Sequence, residues 1–157
     1  MTADRHRMLE VCRLLNETGA RYLIVGGHAC ALHGLVRTTK DVDILIPRDR
    51  ENAALVHRAL VRLPYSIASE HDPDVFIAKP ITIIGDDPRV DLLLAAGKTS
   101  FDRAWPAHLE RVIDGVRVPF LDLDALVRSK DTDRPRDIAD TAELRYLQQR
   151  RSKPPEA

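Results

Sequence analysis

Apolar residues recur along this chain at two spacings, one helical and one strand-like, and their alternation outlines the elements. Met8, Val11, Cys12 and Leu15 fall at helical spacing and Gly19 supplies a stop, so a first helix is predicted over residues 3–17. Arg21-Tyr22-Leu23-Ile24-Val25 reads as a short buried strand closed by Gly26-Gly27, followed by a short helix from His28 to Gly34. Asp41-Val42-Asp43-Ile44-Leu45-Ile46 reads as a second strand ended by Pro47. Residues 49–62 form an amphipathic pattern carrying Ala53, Leu55, Val56, Ala59 and Leu60. Strands are expected at 81–84 and 90–94, joined by Gly85-Asp86-Asp87-Pro88. Asp114-Gly115 between Val112-Ile113 and Val116-Arg117-Val118 signals a type I′ hairpin. Two helices, 122–130 and 135–150, finish the chain on either side of Asp133-Arg134-Pro135. The fold class that follows is α+β: a small mixed β-sheet with flanking helices and a helical C-terminus.

Length and composition set the frame for that pattern. With 157 residues, 44% hydrophobic and 31% charged, the chain has the make-up of one globular domain over residues 1–150, with residues 151–157 a disordered tail. No apolar run approaches the roughly 20 residues a membrane span needs. The N-terminus is charged, unlike a signal peptide, so a cytoplasmic protein without membrane partners is expected. Cys12 and Cys30 sit singly in apolar patterns, as buried reduced thiols do. Formal net charge is zero. Eight basic residues nevertheless fall between Arg128 and Lys153 with five acids, either a solvated helix face or a phosphate-facing stripe.

The candidate chemistry lies on the strands. Alternation puts Asp41 and Asp43 on one face, roughly 7 Å apart, with Val42, Ile44 and Ile46 on the other. Two such carboxylates repel and cannot be buried cheaply without a cation or hydrogen-bond donors. Asp91 lies inside the most apolar strand of the chain, where a lone carboxylate needs compensation. If the two strands are neighbours, the three carboxylates converge. They are then suited to two Mg²⁺ ions about 3.5–4 Å apart, with Asp91 also placed for general-base work. Gly26-Gly27, after a strand and thirteen residues ahead of Asp41, let backbone N–H groups approach a phosphate. The text is neither a Walker loop nor GxGxxG.

Gly26-Gly27, Asp41-Val42-Asp43 and a later strand-borne Asp91 resemble the signature of the polymerase-β-like nucleotidyltransferase superfamily. The run from Gly26 to Ile46, with Lys130, Arg134, Arg136, Asp137 and Asp140 downstream, is similar to its AbiEii-like branch, which includes toxin enzymes of toxin–antitoxin pairs. The resemblance spans roughly residues 20–147. It implies the nucleotidyltransferase fold and transfer of a nucleoside monophosphate from an NTP, ATP among the candidates, to an acceptor hydroxyl with release of pyrophosphate. By the same resemblance Gly26 and Gly27 hold the triphosphate, Asp41, Asp43 and Asp91 the metal (Mg²⁺, with Mn²⁺ as an alternative), and Lys130 a phosphate. Arg37 and Thr38 stand where related enzymes carry phosphate-contacting text. The chain is short for such a toxin, and Arg136 stands where lysine is common.

The acceptor implied is RNA, a tRNA end above all, or a protein hydroxyl, with a cognate antitoxin or toxin as partner. Two other readings stay open: an antibiotic-type small-molecule nucleotidyltransferase, for which Asp72, Asp74, Asp86 and Asp87 would supply an acidic pocket, and a non-catalytic, antitoxin-like module. Residue by residue, Asp137 would cap the last helix or pair with Arg134, and His28 and His33 would pack or hydrogen-bond. Trp105 is expected in the core or a cleft wall, and with 4% aromatics the chain lacks a stacking platform for single strands.

Overall fold

In the computed structural model, residues 3–36, 39–64 and 68–152 are described. Among these described residues, seven α-helices and eight strands follow in order: α1 (Ala3–Thr18), β1 (Leu23–Val25), α2 (Gly26–Leu32), β2 (Asp41–Leu45), α3 (Arg50–Leu60), α4 (Val75–Ala78), β3 (Ile81–Ile84), β4 (Arg89–Leu93), β5 (Ala95–Ala96), β6 (Thr99–Ser100), α5 (Phe101–Ala104), β7 (Leu109–Ile113), β8 (Val116–Phe120), α6 (Leu123–Ser129) and α7 (Pro135–Ser152). Six strands make one mixed sheet in the order β3-β4-β2-β1-β8-β7, and β5 and β6 pair separately. The architecture is α+β. Strands β2 and β4 run parallel, as do β1 and β8, while the other neighbours are antiparallel.

The apolar stripe of α1, carried by Met8, Val11, Cys12 and Leu15, is buried, as its spacing requires. It packs with α3 beside the sheet. Asp49 caps α3 by accepting from the Glu51 backbone N–H at 2.9 Å. Buried Asn52 then exchanges hydrogen bonds with both backbone groups of Arg21, at 2.7 and 2.9 Å, tying α3 to the chain entering β1. The β7–β8 turn has positive φ at Asp114 (49°) and Gly115 (80°), as a type I′ turn demands. One cluster of buried side chains runs from Met8 to Leu144. No helix among the described residues is long and apolar enough to cross a membrane.

Several expectations are corrected. The helix after β1 begins at Gly26 rather than His28, so the glycine pair is its first turn. Arg21 and Tyr22 precede β1, because Asn52 takes the backbone bonds of Arg21 that a strand partner would use. Arg151 and Ser152 belong to α7 rather than to a tail, and residues 153–157 lie outside the described residues. Trp105 is not in the core. It is 37% exposed and stacks between Phe101 and His108, with ring centroids 5.3 and 3.8 Å away.

Candidate active site

The site is set by the register of β2 against β4. Asp43 stands beside Asp91, and Asp41 beside Arg89. Val42, Ile44, Val90 and Leu92 on the same two strands are fully buried, which fixes their partners in alternation on the opposite, half-open face. Asp41, Asp43 and Asp91 therefore share one face, as the strand periods require. The Gly26–Gly27 turn closes over them. Gly26 adopts a left-handed φ of 65°, and a β-carbon there would stand 2.1 Å from an Asp43 carboxylate oxygen. A β-carbon at Gly27 would lie 2.8 Å from the Thr39 side chain, whose hydroxyl donates to the Asp41 carbonyl at 3.2 Å. Arg37 and Thr38 lie outside the described residues.

The electrostatics of the three carboxylates are strained. Burial, followed by the charges of Asp91 and Asp41, pushes the Asp43 carboxyl up to about 7 against the pull of Lys130 and Arg89. Arg89 answers part of that charge. Its guanidinium makes a forked contact with Asp91, Nε to Oδ1 at 2.9 Å and Nη2 to Oδ2 at 3.3 Å, and stands 3.7 Å from Asp41. The hydrogen bond to Asp91 raises the guanidinium above its usual value. Sequence reasoning missed Arg89, although its position two residues before Asp91 on one strand was the available signal. Among the described residues no group of three or more His, Cys, Asp or Glu side chains stands as a ready metal-ligating cluster. The carboxylates offer the hard oxygen donors that Mg²⁺ takes, with an excess of negative charge for it to neutralise.

Lys130 reaches the same region from the C-terminal end of α6, and its charge acts on Asp43. Two buried carboxylates of α7 hold it, Asp140 Oδ2 at 3.4 Å and Asp137 Oδ1 at 3.6 Å. The Thr141 hydroxyl bonds the Lys130 carbonyl at 3.2 Å as well. Asp137 also pairs with Arg134 at 3.0 Å and accepts from the Thr132 hydroxyl. Burial alone would raise Asp137, but Thr132, Lys130 and Arg134 outweigh it and hold the carboxyl below the usual range. Asp137 is thus both at the first turn of α7 and in the ion pair with Arg134. The anchoring role of Asp140 was not legible, because an acid one helical turn after another reads as a solvated face.

The remaining candidates fall into structural places. His33 bridges elements, with Nε2 donating to the Leu121 carbonyl at 2.9 Å and Nδ1 accepting from Arg151 at 2.8 Å. Burial lowers its affinity for a second proton. His28 is buried on α2, and burial likewise lowers its affinity for a second proton. Cys12 and Cys30 are buried free thiols, and burial pushes Cys12 up to about 12, far from a nucleophile's range. The four aspartates of the supposed acidic pocket are dispersed. Asp74 pairs with Arg50 beside the end of β2, whereas Asp87 pairs with Arg7 before the start of β4. No protein-family model matches the chain, and no curated protein matches it.

Proposed function

We propose that the protein is a metal-dependent nucleotidyltransferase that moves a nucleoside monophosphate from an NTP to an acceptor hydroxyl. The observation that carries this reading is the pairing of Asp43 with Asp91 across parallel strands, with Asp41 on the same face and the bare backbone of Gly26 against them. Asp41, Asp43 and Asp91 would hold Mg²⁺, which when bound neutralises triphosphate charge and polarises the reacting oxygens. The backbone N–H groups of Gly26 and Gly27 bind phosphate oxygens where side chains would block them. Lys130, fixed by Asp137 and Asp140, contacts the triphosphate and balances its charge, and Arg37 and Thr38 add phosphate contacts from the adjoining segment. Asp91 accepts the acceptor hydroxyl's proton as that oxygen bonds to the α-phosphorus. The α–β bridging bond breaks, and its electron pair leaves with pyrophosphate.

The acceptor is RNA, above all a tRNA end, or a protein hydroxyl, in keeping with a toxin–antitoxin enzyme whose cognate partner restrains it. The small-molecule reading loses support because Asp74 and Asp87 are paired with arginines at separate places. The clustering of three carboxylates against the bare backbone of Gly26 favours chemistry over a non-catalytic module.

Purified protein incubated with Mg²⁺, each labelled NTP and total tRNA tests the proposal. Label transferred by the native chain and lost in Asp43→Asn is the expected result. Absence of transfer to RNA, protein or small acceptor with every NTP, together with no uptake of Mg²⁺–NTP in calorimetry, would overturn it.

A further inference from the structure

Away from the three aspartates, the chain builds a second concave site. A pocket of about 220 Å³ is lined by Lys98, Arg103, Arg128 and Arg145, with Asp131 as its one acid and Val127 in its wall. The four cations come from four separate places: the β5–β6 turn, α5, α6 and α7. All four side chains are exposed, and none forms an ion pair among the described residues. In a chain of zero net charge, four cations gathered around a hollow with a single acid repel one another and leave a field for an anion to fill.

Backbone packing fixes the arrangement. Gly97 lies so close to α6 that a β-carbon there would stand 2.7 Å from the Ser129 carbonyl oxygen, which holds the Lys98 turn against the end of that helix. Arg128 and Asp131, both in the pocket lining, bracket Lys130, which faces the aspartates. Pocket and aspartate site thus lie on either side of one helix end.

We propose that this pocket binds the phosphodiester backbone of an RNA acceptor strand and guides its terminal hydroxyl toward the aspartates. Only the acceptor's fate rests on the nucleotidyltransferase reading; the phosphate site stands on the pocket itself. Guanidinium forks suit phosphate oxygens, and contacts from several elements fit successive phosphates better than a single small ion. Four of the lining side chains are cations, so binding is carried by phosphate charge more than by base sequence.

Fluorescence anisotropy with a labelled single-stranded RNA, repeated over a salt series, tests this. The probes are the native chain, the combined variant Lys98→Gln, Arg103→Gln, Arg128→Gln and Arg145→Gln, and a control outside the pocket, Arg13→Gln with Arg58→Gln. Each phosphate contact to a single strand contributes about 0.7 to the slope of log K against log salt. The combined variant is expected to lose about two to three units of slope and at least about tenfold in affinity, while the control keeps both. Should the combined variant fail to fold, the single substitutions at 103, 128 and 145 are each expected to lose about 0.7.

Equal slopes in variant and native chain would overturn the proposal. So would binding of inorganic phosphate or pyrophosphate at the pocket without RNA binding, or transfer of label to protein alone. Calorimetry of Mg²⁺–ATP uptake separates the two readings. Pocket-dependent RNA binding without nucleotide uptake sinks the proposed chemistry and leaves the RNA site standing.

Discussion

Gly26 and Asp43 are in such close approach that position 26 has no room for a β-carbon: it would lie 2.1 Å from the carboxylate oxygen. The left-handed φ of 65° adds a second demand for glycine.

Gly26→Ala is therefore expected to displace Asp43 and abolish Mg²⁺–NTP uptake. Gly115→Ala isolates the backbone cost, since φ there is 80° and nothing lies within 4 Å of its added carbon. That control loses on the order of 1 kcal/mol of stability and no nucleotide binding. Thermal melts and calorimetry on both variants check the contrast. Equal losses of binding would mean that Gly26 matters only for backbone strain.

Asp43 sets a pH dependence for the metal-free protein. Its folded value of about 7 lies above the ordinary carboxyl value near ~3.9, so the folded state binds this proton more tightly than the unfolded chain. The contribution is fully present below about pH 4 and is lost as pH rises through about 7. In the presence of a chelator, the native chain's melting temperature relative to that of Asp43→Asn is expected to fall between pH 5 and 8. A difference that stays flat over that range would contradict the placement of the three carboxylates.

Removing the Lys130 charge takes one ion-pair partner from each of two buried carboxylates, while Asp137 keeps Arg134 and Thr132. Lys130→Met is expected to cost about 1–3 kcal/mol, the usual penalty for weakening the satisfaction of buried polar groups. Adding Asp140→Asn to that variant removes one of the two negative charges and should restore part of the stability without restoring nucleotide transfer. Denaturant melts and a labelled-NTP assay on the single and double variants read the two effects separately.

Arg89 competes with any cation for Asp91 and Asp41. Arg89→Gln should lower the melting temperature of the metal-free protein and raise Mn²⁺ affinity severalfold in the absence of nucleotide, as measured by calorimetry. Unchanged Mn²⁺ affinity would show that the guanidinium and the ion do not share oxygens.

Much of this arrangement was readable in the amino acids. Strand alternation alone put Asp41 and Asp43 on one face, because Val42 and Ile44 had to be core. The neighbour relationship of β2 and β4 was only a condition in the sequence, since pairing between distant strands leaves no local pattern. Arg89 escaped notice for a different reason: a charge at a strand's start reads as solvated, although Asp91 two residues on along the same strand is its main partner. The short elements at 75–78 and 95–104 are less than two helical turns or a full strand, so no periodicity could reveal them. The stacking of Trp105 on Phe101 and His108 was not legible either, because ring contacts within short helical turns leave no periodic pattern.

The anchoring of Lys130 by Asp137 and Asp140 has a bearing on the order of assembly. Strand register alone brings the three aspartates to one face, whereas the lysine is tethered only after α7 docks against α6. A molecule whose α7 is undocked thus carries the acidic half of the centre without its fixed cation.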